Sequence, residues 1–264
     1  MLKVNDILQK KLSSKLREKL HIEELDSTPS TNLLAREFAK KNPGEALFIA
    51  KKQTAGRGRL GRSFDSEEGG LYMTLLLRPD SKASDPVRTT ALAALAVCRA
   101  LDSLTDINTQ IKWVNDIVYR GKKLAGILAE SEISGGGFSF IALGIGVNLK
   151  RDFPEELQAI AASVADFSKK VPTASELAAE ITNNLYALMN FESKAAEEEY
   201  RSRSSVIGRD ITVYLPNRSY SARVLDIDEQ MRLVLSLPDG TTEHLSTGEV
   251  SIRHAHDTQN KPIL

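Results

Sequence analysis

The chain has 264 residues, 41% of them hydrophobic, so it is long enough for one large domain with a buried core and a small second domain. Its 35 basic and 35 acidic residues balance, which excludes a general attraction to nucleic acid or an anionic membrane. The single cysteine excludes a disulfide framework and indicates a reducing compartment. Because no apolar run reaches the ~18 to 20 residues of a membrane span and no signal core is present, we expect a cytoplasmic protein without a membrane partner.

The N-terminal segment has leucines at every fourth position, Leu8, Leu12, Leu16 and Leu20. This spacing predicts one amphipathic helix over residues 7–20 that packs on the body of the protein, and we assign residues 1–20 to it. A helix-turn-helix DNA-binding domain needs more helices than this segment can hold. Alternating residues 21–25 then predict a short strand.

A polar cluster at residues 26–32 precedes a predicted helix over residues 32–41. Ser and Thr oxygens satisfy the free N–H groups of a first helical turn, so the cluster is typical of a helix cap. Capping uses one hydroxyl, and the surplus makes Ser30, Thr31 and Asn32 candidates for polar ligand contacts. The residues alone leave both interpretations open.

Residues 53–62, Gln-Thr-Ala-Gly-Arg-Gly-Arg-Leu-Gly-Arg, alternate three glycines with three arginines. Gly56, Gly58 and Gly61 let backbone N–H groups approach a ligand, and the arginines supply forked donors that match a carboxylate or phosphate. We expect a ligand to order this loop, because entropy and like charges oppose its closure. The alternative is a flexible segment that contacts nucleic acid. Predicted buried strands on both sides, residues 46–50 and 71–77, favour a binding site.

A long helix is predicted from residue 85 to about residue 104, with Cys98 as a buried small hydrophobe rather than a catalytic thiol. Residues 111–119 then predict two short strands around a polar turn. Lys112, Asn115 and Asp116 lie between apolar residues there, a costly arrangement unless they pair or face a cleft. Trp113 is either a core residue or a stacking platform for an aromatic ligand.

Lys123 stands at the start of a predicted strand over residues 124–130, after a hairpin turn. Gly126 weakens that strand unless a ligand or backbone comes close, which suggests a buried anion partner for the lysine. After a turn at residues 135–137, residues 138–147 predict a central strand that ends with Gly144, Gly146 and Asn148. Leu149 replaces the third glycine of a dinucleotide fingerprint, and no Walker A motif occurs in the chain.

The last third changes from helical to strand periodicity. Residues 163–170 are irregular, and residues 175–200 predict a long helix with Leu177, Ile181, Leu185, Leu188 and Phe191 inward and a solvated Glu-Glu-Glu stretch. Beyond Gly208, short alternating segments with turns at residues 217 and 239–240 predict a small β-barrel. His254 and His256 lie in a tail that we expect to be disordered, without acidic or cysteine partners at metal spacing.

Five segments in this order resemble the biotin–protein ligases, in particular the type without a DNA-binding domain: residues 30–32, 53–62, 112–116 (Lys-Trp-Val-Asn-Asp), 123–128 (Lys-Leu-Ala-Gly-Ile-Leu) and 144–148 (Gly-Ile-Gly-Val-Asn). The resemblance covers the chain from about residue 21 onward. It implies an α+β fold, a mixed β-sheet flanked by helices of the class II synthetase-like type, with a C-terminal SH3-like barrel. The corresponding domains are residues 21–205 for catalysis, 206–256 for the barrel and 257–264 for a tail.

The resemblance also implies an ATP-dependent, two-step reaction that uses Mg²⁺. Biotin is activated to biotinyl-5′-AMP and is then transferred to one lysine of a biotin carboxyl carrier domain. The glycine-arginine loop is expected to close over the adenylate and exclude water. DNA is not an expected partner, and a monomer and a homodimer are both compatible with the sequence.

The resemblance assigns roles residue by residue. Catalytic roles fall to Lys123, Arg59, Arg62 and Asp116. Biotin binding falls to Ser30, Thr31, Asn32, Gln53, Gly56, Arg57, Gly58, Arg59, Lys123 and Gly126. ATP binding falls to Arg59, Arg62, Lys112, Trp113, Asn115, Asp116 and Asn148. The metal is expected on the ATP phosphates, with Asp116 as a candidate ligand or as a group that aids the incoming amine.

The sequence departs from the family pattern at Val114, where proline is common, and at Phe64, where tryptophan is common. The nearest rival function is a lipoate ligase or octanoyl transferase, which shares the catalytic fold. The dense glycine-arginine loop and the C-terminal barrel favour biotin. A nucleic-acid-binding module would need a broader basic face, and a regulator that only binds the adenylate would need an output domain.

Overall fold

The computed structural model describes residues 6–78, 85–134, 137–190 and 194–252. The elements in chain order are α1 (Asp6–Lys11), α2 (Ser14–Lys19), β1 (Leu20–Thr28), α3 (Thr31–Lys41), β2 (Glu45–Gln53), β3 (Gly70–Leu77), α4 (Pro86–Leu104), β4 (Gln110–Lys112), β5 (Asp116–Tyr119), β6 (Lys122–Ser134), β7 (Gly137–Asn148), α5 (Glu155–Gln158), α6 (Ala174–Asn190), α7 (Lys194–Ser202), β8 (Asp210–Leu215), β9 (Arg218–Ile227), β10 (Leu233–Ser236), β11 (Thr242–Leu245) and β12 (Glu249–Ile252). Within these ranges no helix is long and apolar enough to cross a membrane.

The first seven strands form one mixed sheet in the order β1-β2-β3-β7-β6-β5-β4. β1 and β2 are parallel, and the other neighbours are antiparallel. The predicted mixed sheet flanked by helices is therefore confirmed, with β7 at its centre. Because side chains alternate along each strand, every strand presents one row of residues to each face of the sheet.

One face of the sheet carries the main hydrophobic core. α4 and α6 pack together on this face, and α1 packs on α6. The alanine-rich sequence of α4 allows its backbone to lie close to the sheet, and Cys98 is fully buried within it. Burial raises the pKa of the Cys98 thiol to about 12, which keeps it protonated and confirms the prediction of a small buried hydrophobe.

The other face is covered only in part. α3 packs its Ala35 and Phe38 on Phe48, Phe140 and neighbouring apolar residues of β2, β3 and β7. Further along β7 the same row of residues continues as Gly144, Gly146 and Asn148. The row therefore changes from apolar side chains to glycines just where α3 begins, and this glycine surface is the floor of the site described below.

The N-terminal segment differs from its prediction. The prediction of a single helix over residues 7–20 is wrong. Ser13 has extended backbone (φ −59°, ψ 148°), which ends α1 and places Ser13 at the N-cap of a second helix, α2. The leucine spacing still buries Leu8, Leu12 and Leu16. Asn183 of α6 holds the junction, since its side chain accepts from the Ser13 N–H and donates to the Lys11 carbonyl.

One helix was predicted over residues 175–200, and the structure has two helices in this range, α6 and α7. Phe191 lies outside the described residues. The interpretation of Glu197 to Glu199 as only a solvated face is wrong. Glu197 pairs with Arg88 of α4 at 3.0 Å, and Glu199 accepts from Arg99 of α4 and from Arg203. α7 is thus attached to α4 by ion pairs, and its buried Tyr200 hydroxyl donates to the Val114 carbonyl at 3.2 Å.

The C-terminal strands form a five-stranded antiparallel sheet in the order β11-β10-β9-β8-β12, which confirms the predicted small β-domain. It contacts the first domain through side-chain to main-chain bonds. The Trp113 indole N–H donates to the Met231 carbonyl at 2.7 Å, and the Arg201 side chain donates to the Ile227 carbonyl at 2.6 Å. The tail with His254 and His256 lies outside the described residues.

Leu8→Ala tests the packing of the N-terminal helices. Leu8 is fully buried, and a buried leucine contributes roughly 2 to 5 kcal/mol, so we expect a loss of that size in the free energy of unfolding. The neighbouring Ile7 is exposed, and Ile7→Ala is expected to lose less than about 1 kcal/mol. Urea unfolding measures both, and a loss below about 1 kcal/mol for Leu8→Ala would contradict the burial of Leu8 between α1 and the core.

Candidate functional site

Three glycines form the floor of the site. Gly126 of β6 is paired with Gly146 of β7, and Gly144 lies one step further along. A Cβ atom on Gly144 would lie 2.3 Å from the Asn32 Oδ1, and one on Gly146 would lie 2.6 Å from the Phe64 ring. Only glycine allows both side chains to lie this close to the sheet.

The polar end of the site is a hydrogen-bond network around Thr31. Its backbone N–H and its hydroxyl both lie within reach of the Gln53 Oε1, at 2.9 and 3.1 Å. The buried Thr74 hydroxyl lies 2.8 Å from the Thr31 Oγ1 and 2.6 Å from the Asn32 Oδ1. The Asn32 amide nitrogen donates to Glu130 at 2.8 Å, and the Gln53 amide nitrogen donates to Ser66 at 3.0 Å.

This network corrects the capping interpretation of residues 26–32. Ser30 is the N-cap of α3, but its side chain makes no capping hydrogen bond. The Gln53 side chain satisfies the free N–H of Thr31 instead. The polar residues at the start of α3 therefore belong to the site, with Ser30, Thr31 and Asn32 all buried at its wall.

The glycine-arginine loop folds back on itself above the floor. Gly58 N–H donates to the Arg62 carbonyl, and Phe64 N–H donates to the Gly56 carbonyl. Leu60 and Gly61 at the tip have positive φ angles of 54° and 77°. Because of this turn, the side chains of Arg59 and Arg62 reach different partners.

Two of these arginines contact other parts of the chain. Arg59 donates to the Asn115 Oδ1 at 3.0 Å and to the Gly248 carbonyl at 3.2 Å. Arg62 pairs with Glu249 at the start of β12. The C-terminal domain therefore supplies acceptors for the loop, a role that the sequence did not reveal.

Lys123 has the anion partner that its position suggested. Its Nζ lies 2.6 Å from an oxygen of Asp116 and 5.8 Å from the centre of the Phe64 ring. The neighbouring Lys122 donates instead to the Gln158 carbonyl. Asn148 is buried beside this pair, with its amide nitrogen 3.5 Å from the Lys123 carbonyl.

The site has an inner pocket and an outer cavity. The inner pocket is lined by nine of the ten residues predicted to bind biotin: Ser30, Thr31, Asn32, Gln53, Arg57, Gly58, Arg59, Lys123 and Gly126. The tenth, Gly56, supports the loop, because a Cβ there would lie 2.4 Å from the Ser66 hydroxyl. The outer cavity, of about 810 Å³, is lined by all the residues predicted to bind ATP: Arg59, Arg62, Lys112, Trp113, Asn115, Asp116 and Asn148.

The two spaces share part of their wall. Gly58, Arg59, Phe64, Asn115 and Lys123 line both. Arg59 and Lys123 therefore stand where a group in the inner pocket would meet a group in the outer cavity. Trp113 is largely buried and its indole N–H is already bonded to the C-terminal domain.

Several site residues were not predicted from the sequence. Thr74 was detectable, because it is the polar residue in an otherwise apolar strand, Leu-Tyr-Met-Thr-Leu-Leu-Leu. Glu130, Glu249 and the outer wall formed by Phe153, Leu157 and Ile160 carried no local signal.

Comparisons with known proteins agree with this geometry. Residues 23–148 match the Biotin/lipoate A/B protein ligase family, and residues 206–253 match the Biotin protein ligase C terminal domain. The chain is 34% identical to the Biotin--[acetyl-CoA-carboxylase] ligase of Mycobacterium tuberculosis over 84% of its own length and 85% of the relative. The chain belongs to the biotin protein ligase family. The family and the ligase class predicted from the motifs are thereby confirmed.

Further relatives of the biotin protein ligase family extend the comparison. The Bifunctional ligase/repressor BirA of Bacillus spizizenii is 34% identical over 83% of this chain and 70% of the relative. A solved biotin protein ligase from Aquifex aeolicus, in complex with biotin and ATP, has a TM-score of 0.75 and 26% identity. That match covers 89% of this chain and 99% of the relative, so it includes both domains.

Thr74→Val tests the buried network. The substitution keeps the shape and removes the hydroxyl that bridges Thr31 and Asn32, so we expect a loss of about 1 to 3 kcal/mol in the free energy of unfolding. Thr90→Val is the control, because the buried Thr90 hydroxyl bonds only to a carbonyl one turn back in α4. Urea unfolding compares them, and equal losses would contradict a special role for the Thr74 hydroxyl.

Proposed function

We propose that this protein activates biotin with ATP to biotinyl-5′-AMP and transfers biotin to a specific lysine of a biotin carboxyl carrier domain of a carboxylase. The observation that carries the proposal is the shared wall of the inner pocket and outer cavity, with Arg59 and Lys123 in it. Family membership and the Aquifex aeolicus relative in complex with biotin and ATP support it.

The inner pocket suits biotin. Its polar end presents the Thr31, Gln53 and Ser30 side chains, which can donate to and accept from a ureido ring. Leu128, which pairs with Gly144, and the Phe64 ring supply apolar lining for the rest of the molecule. The glycine floor lets Asn32 and the Phe64 ring lie close to the sheet as walls of this pocket, and a biotin carboxylate in it would point toward Lys123 and Arg59.

Activation takes place at the shared wall. An oxygen of the biotin carboxylate attacks the α-phosphorus of ATP, and pyrophosphate leaves with the electron pair of the broken P–O bond. Arg59, Arg62 and Lys123 are positioned to offset the negative charge on the phosphate oxygens and on the leaving group. The closed glycine-arginine loop keeps water from the resulting mixed anhydride.

Transfer uses the same wall. The ε-amine of the carrier lysine attacks the carbonyl carbon of the mixed anhydride, AMP leaves, and the amine loses a proton. Asp116 lines the outer cavity beside Lys123, so its carboxylate is placed to orient that amine or to accept the proton.

The residues present fit a magnesium ion carried by ATP. In the described ranges, no group of three or more His, Cys, Asp or Glu side chains is arranged to hold a metal. Mg²⁺ commonly binds through substrate phosphates with one or two carboxylates. The outer cavity is lined by Asp65, Asp116 and Glu249, and of these Asp116 pairs with Lys123 of the shared wall. When bound, the ion supplies positive charge to the phosphates.

Calorimetric titration tests the substrate. We expect biotin to bind, lipoate not to bind, and a non-hydrolysable ATP analogue with Mg²⁺ to bind more tightly after biotin. Mass spectrometry of a biotin carboxyl carrier domain after incubation with biotin and MgATP is expected to show one biotin, and none on its lysine-to-arginine variant. Absence of biotin binding, or a preference for lipoate, would overturn the proposed substrate.

Arg59→Ala tests the loop arginine. We expect adenylate formation, measured as pyrophosphate release, to fall by about 100-fold or more, or free biotinyl-adenylate to appear in solution. Arg17→Ala is the control, because Arg17 is exposed on α2 away from the site. Unchanged pyrophosphate release together with unchanged retention of the adenylate would refute this role for Arg59.

A further inference from the structure

Arg151 is a buried arginine just beyond the end of β7, and only 3% of its side chain is exposed. Its Nη1 donates to the Asp65 carbonyl at 2.7 Å and lies 3.2 Å from the Tyr72 hydroxyl, and its Nη2 pairs with the Asp65 carboxylate. Its guanidinium also lies over the Phe153 ring, 4.7 Å from the ring centre. A buried charge with this many partners is held in one place.

These contacts join the two walls of the outer cavity. Phe64 and Asp65 follow the glycine-arginine loop, Phe153 follows β7, and all three line the outer cavity. The backbones of these segments also meet, since the Leu149 and Lys150 N–H groups donate to the Gly69 carbonyl. Arg151 lies behind both walls and connects them through its side chain.

Movement of either wall would remove hydrogen bonds or ring contacts of the buried Arg151 guanidinium. Among the described residues Asp65 is the only carboxylate that pairs with it, and the Arg151 Nε already lacks a hydrogen bond there. A buried guanidinium that loses its carboxylate is strongly unfavourable. The observed positions of Phe64, Asp65 and Phe153 are therefore favoured together.

We propose that Arg151 is a positioning residue that couples closure of the glycine-arginine loop to the wall of the nucleotide cavity. Biotin that orders the loop then strengthens ATP binding through Arg151, without contact between Arg151 and either substrate. This inference rests on the proposed function, because it takes biotin as the ligand of the inner pocket and ATP as the ligand of the outer cavity.

The test compares nucleotide affinity with and without biotin. Calorimetric titrations of the full chain give the Kd of an ATP analogue with Mg²⁺. We define the coupling factor as the Kd without biotin divided by the Kd with biotin bound. Couplings between sites are commonly about 5- to 150-fold, and we expect Arg151→Lys to reduce the factor about tenfold. We expect the Kd for biotin alone to change less than about threefold, since Arg151 does not line the inner pocket.

Asp65→Asn is the second variant, which keeps the size and the backbone carbonyl but removes the charge that pairs with Arg151. It is expected to reduce the coupling factor similarly, and the double variant is expected to reduce it little further, because both changes remove one interaction. In turnover assays KM for ATP rises in each variant, while Arg151→Lys keeps the rate of transfer from pre-formed biotinyl-adenylate to the carrier, because Arg151 lines neither cavity.

Arg203→Lys is the matched control. Arg203 is also a largely buried arginine with carboxylate partners, Asp102 and Glu199, but these lie away from both cavities. It should lower stability without a change in the coupling factor. An unchanged factor in both Arg151→Lys and Asp65→Asn, or an equal fall in Arg203→Lys, overturns the role of Arg151. A wild-type chain that binds no biotin overturns the proposed function itself and the coupling with it.

Discussion

The structure depends on a steric constraint at one face of the sheet, where β6 and β7 carry glycine in place of side chains. Where Phe140 and Ala142 stand, the sheet packs against α3 and the core continues. Where Gly144 and Gly146 stand, Asn32 and the Phe64 ring lie directly on the backbone. The site thus begins where the apolar packing between α3 and the sheet ends. A methyl group at Gly144 or Gly146 would displace Asn32 or Phe64, which form walls of the pocket.

Charge imposes the second constraint, because three arginines in a short loop repel one another. The structure offsets this with acceptors from two domains, the Asn115 side chain, the Gly248 carbonyl and the Glu249 carboxylate. Two of the three arginines, Arg59 and Arg62, therefore have acceptors beside the outer cavity. The C-terminal domain therefore takes part in the site rather than only adjoining it.

Local patterns were sufficient for most of the fold and for the contacts that involve neighbours in sequence. Alternation predicted the central strand, and glycine and arginine spacing predicted the loop, since both depend on backbone conformation within a few residues. The break at Ser13 and the pairing of Glu197 and Glu199 with arginines of α4 and with Arg203 were missed. Those features depend on which helices meet, and neither periodicity nor composition specifies that. Thr74 lies between the two cases, because its polarity in an apolar strand was visible but its partners were not.

The network around Thr31 also bears on the choice between biotin and lipoate. The Asn32 amide donates to Glu130, so its oxygen faces Thr74 and takes the single hydroxyl proton of that residue. The Thr31 hydroxyl then donates to the Gln53 side-chain oxygen, and the Gln53 amide nitrogen donates to Ser66. These bonds fix the orientation of both side chains at the polar end of the pocket. A ureido ring has both N–H groups and a carbonyl to match them, whereas a dithiolane ring has neither. A pocket built for hydrogen bonds strongly rejects an analogue that lacks them, so in the function that we propose the same buried groups that hold α3 to the sheet would also select the biotin ring.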